Sequence, residues 1–327
     1  MSGERLYLVN GDSAAGALEA AGLVHGDAVL VLHDVLSCGA LGYAPLAGDL
    51  SRWLPMRERF WARVWDDAER FGVVEGPLPG FMDKPRNVYA AGARLQAASE
   101  IVLCTGAGLS DALAQGFFIA WTAALAVAPE NVREVRLAGL DALPVGLPHL
   151  DPKALAAAWH VGPLGLDRRS TALAFWRSFV AAQPDGLPPA AAGMTAAEAG
   201  ADRAAALAAW QRRHPQGNRP LAAWDERLLG AARADGATLK SLLGTALRAA
   251  RDDHDPVGDL VLLHRLATLA ADAADTPGAQ GPPLLRLGPP RGLATTCTVT
   301  DVGLTLLEGQ GGEATAGRCA AWTRSRA

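Results

Sequence analysis

The sequence predicts an α/β protein: an open, mostly parallel, Rossmann-like sheet domain, followed by an all-helical region and a winged-helix-like module. Three observations predict it. Short runs of uninterrupted apolar residues, such as Leu6-Tyr7-Leu8-Val9 and Ala28 to Leu32, alternate with helical patterns over the first half of the chain. Uninterrupted apolar strands suit a parallel sheet covered on both faces, whereas a half-exposed sheet alternates polar and apolar residues. After Pro148 the strand signals stop, and the chain closes on three helical segments and two short strands. The expected divisions are 1–148 for the α/β domain, 149–218 for a helical region, 219–310 for the winged-helix-like module and 311–327 for a flexible tail.

Leu6 to Val9 is the first strand. A helix over Ala14 to Ala21 follows the turn Asn10-Gly11-Asp12-Ser13, with Asp12 or Ser13 as its N-cap. Ala28 to Leu32 is the second strand and ends at His33-Asp34. Leu50 to Phe71 carries Trp53, Met56, Phe60, Trp61, Val64 and Trp65 at helical spacing among charged residues, which predicts an amphipathic helix with an aromatic stripe in the core. A Gly- and Pro-rich loop from Glu75 leads to a helix over Val88 to Ala98. Glu100 to Cys104 is the third strand, Thr105 to Gly108 a turn, Leu109 to Ala126 a long apolar helix and Val132 to Leu137 the fourth strand. That alternation argues for a doubly wound sheet. Helices are expected over Pro152 to Trp159, Asp167 to Ala182 and Ala196 to His214, with connectors at Gly186 to Pro189 and Pro215 to Pro220. Three more follow at Ala222 to Ala234, Thr238 to Arg251 and Val257 to Asp272. Beyond a turn-rich break from Asp275 to Gly281, Leu284 to Leu287 and Thr296 to Val299 form a hairpin, which completes the parts of a winged helix.

Half of the 327 residues are hydrophobic and 20% are charged, a balance that supports a sizeable core and excludes the disordered class. A net charge of −4 gives no global attraction for polyanions. Cys38, Cys104, Cys297 and Cys319 lie far apart without metal-ligand spacing, so reduced, mostly buried thiols are expected. The opening MSGERLYLVNGD lacks the basic-then-apolar pattern of a signal peptide. The most apolar run, Phe117 to Val127, is shorter than the roughly 20 residues that span a bilayer, so a cytoplasmic protein without membrane contact is expected. Gly-x-Ser-x-Gly, His-Glu-x-x-His and Cys-x-x-Cys do not occur, the Lys of a phosphate-binding loop is missing, and Gly106-x-Gly108 lacks the third glycine of the dinucleotide fingerprint. No metal-binding motif occurs, although carboxylates gathered on one edge could hold a divalent metal or supply a general base, and the cofactor, metal use and reaction class stay open.

NGDSAAGAL after the first strand and HDVLSCGAL after the second resemble two motifs of the bacterial family known as domain of unknown function 1835. VLCTGAGLSDAL aligns with that family's third motif. ERLLGAARADGATLKSLL, GDLVLLHRLATLA and VTDVGLTLLEG resemble the C-terminal half of its long members, so the similarity runs to about Gln310. The resemblance implies an α/β domain with a helical, winged-helix-like C-terminal half, and it implies no activity. This chain departs from the pattern. Where relatives carry an acidic-His-Asp cluster, the stretch Gly106 to Ala112 keeps only Asp111 of the polar set. Ser37-Cys38 stand where relatives have His-Glu. A divergent member is implied.

Ligands of open parallel sheets bind outside the carboxyl ends of the strands. Three clusters fall there: Asn10, Gly11, Asp12 and Ser13; His33, Asp34 and Ser37; and Thr105, Gly106, Gly108 and Asp111. The glycines let backbone approach a ligand, and the helix N-termini that follow favour phosphate or carboxylate. Asp12, Asp34 and Asp111 are the catalytic candidates, as carboxylates on one rim, with His33 beside them. The competing roles are capping for Asp12, Ser13 and Asp34, and dipole complementation for Asp111. Cys38 has no adjacent cation in sequence to activate it.

The third helix of a winged helix reads DNA. Here it offers His264 and Arg265, with Arg286 and Arg291 in the wing. Twelve basic and twelve acidic side chains lie between Arg219 and Ala327, so the module lacks the charge that phosphate binding needs. The reading favours a small anionic or nucleotide-like ligand at the sheet edge, with the winged helix contacting a protein partner or a second copy. A ligand-responsive DNA-binding regulator, a scaffold protein and an enzyme with an altered active site are the alternatives.

Overall fold

The computed structural model describes residues 3–39, 41, 50–51, 53–80, 84, 86–138, 146–182, 201–213, 221–255, 257–271 and 282–309. The connectors expected at 186–189 and 215–220, the break at 275–281, the tail and Cys319 lie outside them. One five-stranded sheet runs β2-β1-β3-β4-β5. Its parallel members are β1 (Arg5–Asn10), β2 (Val29–Leu32), β3 (Glu100–Cys104) and β4 (Val132–Leu137).

β1, β2 and β3 are apolar on both faces because both faces are covered. Leu6, Leu8, Leu30, Leu32, Ile101 and Leu103 enter one core, together with α3 (Gly92–Ala97), α4 (Leu109–Ala124) and α6 (Leu166–Ala182). Val9, Val29, Val31, Val102 and Cys104 point the other way, towards α1 (Asp12–Ala20) and α5 (Pro152–Ala158). That is the alternation of a pleated strand read between two apolar layers.

The strand signal does not end at Pro148. β5 (Trp159–Pro163) pairs antiparallel with β4, from Leu137 opposite Trp159 to Arg133 opposite Pro163. The segment Trp-His-Val-Gly-Pro hides its nature because it is an edge strand, only partly buried, and an edge tolerates Pro. The sheet therefore continues past residue 148. Trp176 and Phe179 of α6, and Trp210 of α7 (Ala201–Arg212), share the core of Phe117, so the expected helical linker is part of the α/β body. Phe117 sits 5.9 Å from Trp176 and 6.0 Å from Trp53, ring centre to ring centre.

Helices α8 (Ala223–Ala231), α9 (Leu239–Asp252), α10 (Asp259–Ala270) and α11 (Asp301–Leu307) gather with a ribbon of β6 (Leu285–Leu287) and β7 (Cys297–Val299) around a separate core. That core extends into the α/β body through Phe60, Val64 and Ala68 of α2 (Trp53–Arg70). Its third helix, α10, lies on α2, where His264 Nδ1 is 2.6 Å from Asp67 Oδ2. Arg265 is buried and donates bidentately to Asp225 at 2.8 and 2.6 Å. Neither side chain has the free outward face expected of a DNA contact, because intramolecular packing has consumed it. Arg286 and Arg291 of the ribbon stay exposed. Among the described residues, no helix is long and apolar enough to cross a membrane.

Candidate functional site

A cleft of about 530 Å³ opens at the carboxyl ends of the parallel strands. β1 leads to β2 on one side and β3 leads to β4 on the other, so the cleft lies at the crossover point of the sheet, where doubly wound folds hold ligands. Its floor holds Asn10 to Ala14, Leu32, His33, Cys104, Ser110 and Asp111. Trp61, Trp65, Leu78, Pro79 and Lys84 form one wall. Gly146 to His149 and the α10 approach, Val257, Gly258 and Leu260, complete it.

Gly11, not Asp12 or Ser13, is the N-cap of α1. Its φ of 85° turns the chain sharply out of β1, a conformation that favours glycine. The helix therefore starts without a side-chain cap, and its first-turn N–H groups carry the partial positive charge of the dipole. Asp12 is released for other partners. Its Oδ1 is 2.9 Å from His33 Nε2 and its Oδ2 3.4 Å from Lys84 Nζ. Partial burial opposes ionisation of Asp12, but His33 and Lys84 outweigh it and hold the carboxyl below its ordinary value. His33 shifts down because burial disfavours its charge, and Lys84 and Arg86 add to that against the pull of Asp12. Its Nδ1 is buried with no hydrogen-bond partner among the described residues.

On the β3 side Asp111 is the acceptor at the centre of a small network. Asn10 Nδ2 donates to Asp111 Oδ1 at 2.7 Å and to Ser110 Oγ at 3.0 Å. The Gly106 N–H donates to Asp111 Oδ2 at 2.8 Å. Asp111 is only 7% exposed, and burial pushes its carboxyl up to about 6 despite those two bonds. A carboxyl so placed titrates near neutrality, as groups in functional clefts often do.

Asp34 borders the cleft, but its carboxylate is spent. Arg57 Nε and Nη2 donate to it at 2.7 and 2.6 Å, Trp61 Nε1 at 2.9 Å and the Tyr89 hydroxyl at 2.9 Å. Burial alone would raise its pKa, yet Arg57 and these bonds hold it below the ordinary range. The expected rim of three free carboxylates is corrected to two, Asp12 and Asp111. Ser37 is buried away from the cleft, where Arg213 Nη2 donates to its hydroxyl at 3.0 Å. Arg213 also approaches Cys38 Sγ at 3.2 Å and pairs with Asp255, so the second motif is a brace to the C-terminal half. Thr105, Gly106 and Gly108 lie off the lining; Gly106 serves Asp111, and Gly108 caps α4.

The aromatic stripe of α2 divides. Trp53, Phe60 and Val64 are core, whereas Trp61 and Trp65 face the cleft with their indole N–H groups held by Asp34 and by the Gly76 carbonyl. Sequence reasoning also missed Lys84, Ser110, His149 and the α10 approach. Lys84 had a signal: it is one of three lysines in a chain whose other cations are arginine. Ser110 stands in the first turn of α4 beside Asp111, within the third motif, whereas His149 and the α10 approach come from distant chain that no local pattern reveals. Among the described residues, no group of three His, Cys, Asp or Glu side chains could hold a metal ion. No family model and no curated protein matches this chain.

Proposed function

We propose that this protein binds a small anionic, nucleotide-like ligand in the cleft, with its anionic end at Lys84, His33 and the start of α1. One observation carries the reading: a roomy cleft at the sheet's crossover point combines an uncapped helix N-terminus and a lysine with an aromatic wall. Ligand pockets of about 300–1,000 Å³ with mostly apolar walls and a few convergent polar groups fit this description. Helix N-termini favour phosphate, and Lys84 adds a point charge at the mouth. The C-terminal helices and ribbon are read as a winged-helix-like element for protein contact. The burial of Arg265 and the engagement of His264 favour that over DNA binding.

The test is calorimetric titration with nucleoside monophosphates and the matching nucleosides, on the natural chain and on Lys84→Ala. A monophosphate should bind, the nucleoside should bind at least about tenfold more weakly, and Lys84→Ala should erase most of that difference, about 1.4 kcal/mol. Absence of binding by every monophosphate at millimolar concentration refutes the reading.

A further inference from the structure

We infer that the β3 side of the cleft reads a purine edge carrying a ring N–H and an exocyclic amine, the guanine pattern, through the acceptors of Asp111 and the side-chain carbonyl of Asn10. This inference rests on the nucleotide reading above and sharpens it.

The argument starts from donors already spent. The amide nitrogen of Asn10 faces a carboxylate oxygen at 2.7 Å, which fixes which end of the amide is nitrogen. Its second hydrogen serves Ser110 Oγ at 3.0 Å. Both Asn10 donors are thus used, and its Oδ1 has no hydrogen-bond partner among the described residues. Asp111 accepts one bond on each oxygen, from Asn10 and from Gly106, and an ionised carboxylate has about four acceptor sites. A ligand here meets acceptors on Asp111 and Asn10 held in a hydrogen-bonded frame, beside the Ser110 hydroxyl, which accepts from Asn10 and keeps a proton of its own. A ligand group that meets Asp111 or the Asn10 carbonyl must donate.

Two further features fix the class. β2 and β3 flank β1, and neighbouring strands lie about 4.8 Å apart, so the end with Lys84 and the start of α1, near His33, and the acceptor end near Asp111 are about 10 Å apart. A mononucleotide spans such a gap between its phosphate and the far edge of its base. Trp61 and Trp65, one turn apart on α2, give the cleft wall flat aromatic surface against which a planar ring packs. A carboxylate accepts the N1–H and N2–H of guanine side by side. Adenine offers an unprotonated ring nitrogen at the equivalent edge, which faces the carboxylate as acceptor to acceptor.

The experiment titrates guanosine, inosine, adenosine and xanthosine monophosphates into the natural chain and into Asp111→Asn at pH 7.5. The expected order for the natural chain is guanosine tightest, inosine weaker by about tenfold for the missing amine, and adenosine weaker still. Asp111→Asn offers one acceptor and one donor, so it should lose guanosine monophosphate by at least about tenfold and bind xanthosine monophosphate better than the natural chain does. Gain of the xanthosine ligand cannot come from misfolding. Equal affinity for all four bases, or an equal loss of guanosine and adenosine ligands in the variant, overturns the base-edge inference and leaves the nucleotide reading standing. Failure of every monophosphate to bind removes both.

Discussion

Asp111→Asn has a consequence for stability that needs no ligand. Burial raises the Asp111 carboxyl from an ordinary 3.8 to about 6. The folded protein therefore keeps a proton on Asp111 between those values, while the unfolded chain has released it. Stability from this group is fully present below the unfolded pKa and is lost as pH rises through about 6. The full swing is about 3 kcal/mol, since each tenfold gain in proton affinity is worth about 1.4 kcal/mol. Integrated over practical conditions, it is about 1.4 kcal/mol between pH 5 and 7.5, and about 2.4 kcal/mol from pH 4. Asparagine cannot titrate. It also places an amide N–H against one of the two donors, Asn10 or Gly106, at a pH-independent cost of about 1–3 kcal/mol. The constant offset cancels when the two proteins are compared across pH. Urea unfolding followed by tryptophan fluorescence at pH 5, 6, 7 and 7.5 should show the variant gaining on the natural chain by about 1.4 kcal/mol as pH rises. Parallel stability curves over that range would show that Asp111 carries no raised pKa, and the account of a buried, strained carboxyl at the cleft would fall.

Arg57→Ala should cost about 3–5 kcal/mol, because Asp34 is left charged and buried with only Trp61 and Tyr89 as donors; the drop in urea midpoint measures it, and a loss below about 1 kcal/mol contradicts the ion-pair assignment. Gly116→Ala sets a methyl 2.6 Å from Trp176 Cβ and 3.0 Å from the Ala172 carbonyl, where α4 crosses α6, so overpacking should remove about 1–3 kcal/mol; an unchanged melting temperature would show that the crossing is looser than its geometry. His33 should titrate below its usual value when followed by NMR, with stability from this ring present above about pH 6.5 and lost as pH falls; a titration above 6.5 speaks against burial as its main influence.

The strands were legible because their chemistry is local. Glu100 to Cys104 and Val132 to Leu137 match their predicted bounds; the first is an apolar run after Glu100, and the second intersperses Val132, Val135 and Leu137 with charged residues between flanking turns. β5 was not legible because an edge strand is stabilised by the ladder it joins, and Trp159 to Pro163 shows neither alternation nor an apolar run. The helix expected over Val88 to Ala98 divides into a 3₁₀ turn at Val88–Ala90 and the short α3. Asn87 ties that turn by accepting from the Tyr89 N–H, and Tyr89 in turn serves Asp34. At the site, proximity to strand ends located Asn10, Asp12, His33 and Asp111. It could not separate Asp111 from Asp34, since both follow a strand. The partner that silences Asp34 sits 23 residues onward on α2, at a position that reads as one more surface arginine of an amphipathic helix.

Loss of Asp34 from the rim changes the chemistry available to the cleft. Three free carboxylates would have suited a divalent cation, which takes oxygen ligands from several sides. With Asp34 locked to Arg57, the two that remain lie on opposite sides of β1, one tied to a lysine and a histidine and the other framed by an amide and a backbone N–H. The floor therefore differs along the sheet, with Lys84, His33 and the ionised Asp12 towards β2 and the acceptors of Asp111 towards β3. On the proposed reading such a difference selects an elongated ligand with unlike ends. The helical half contributes to the same selection. Val257, Gly258 and Leu260 wall the cleft, and the Leu109 N–H donates to the His254 carbonyl at 2.8 Å, which ties the start of α4 to the approach of α10. A ligand seated against both halves binds the docked arrangement better than any loosened one. Its binding free energy then adds to the His264–Asp67 and Arg213–Asp255 contacts that hold the halves together.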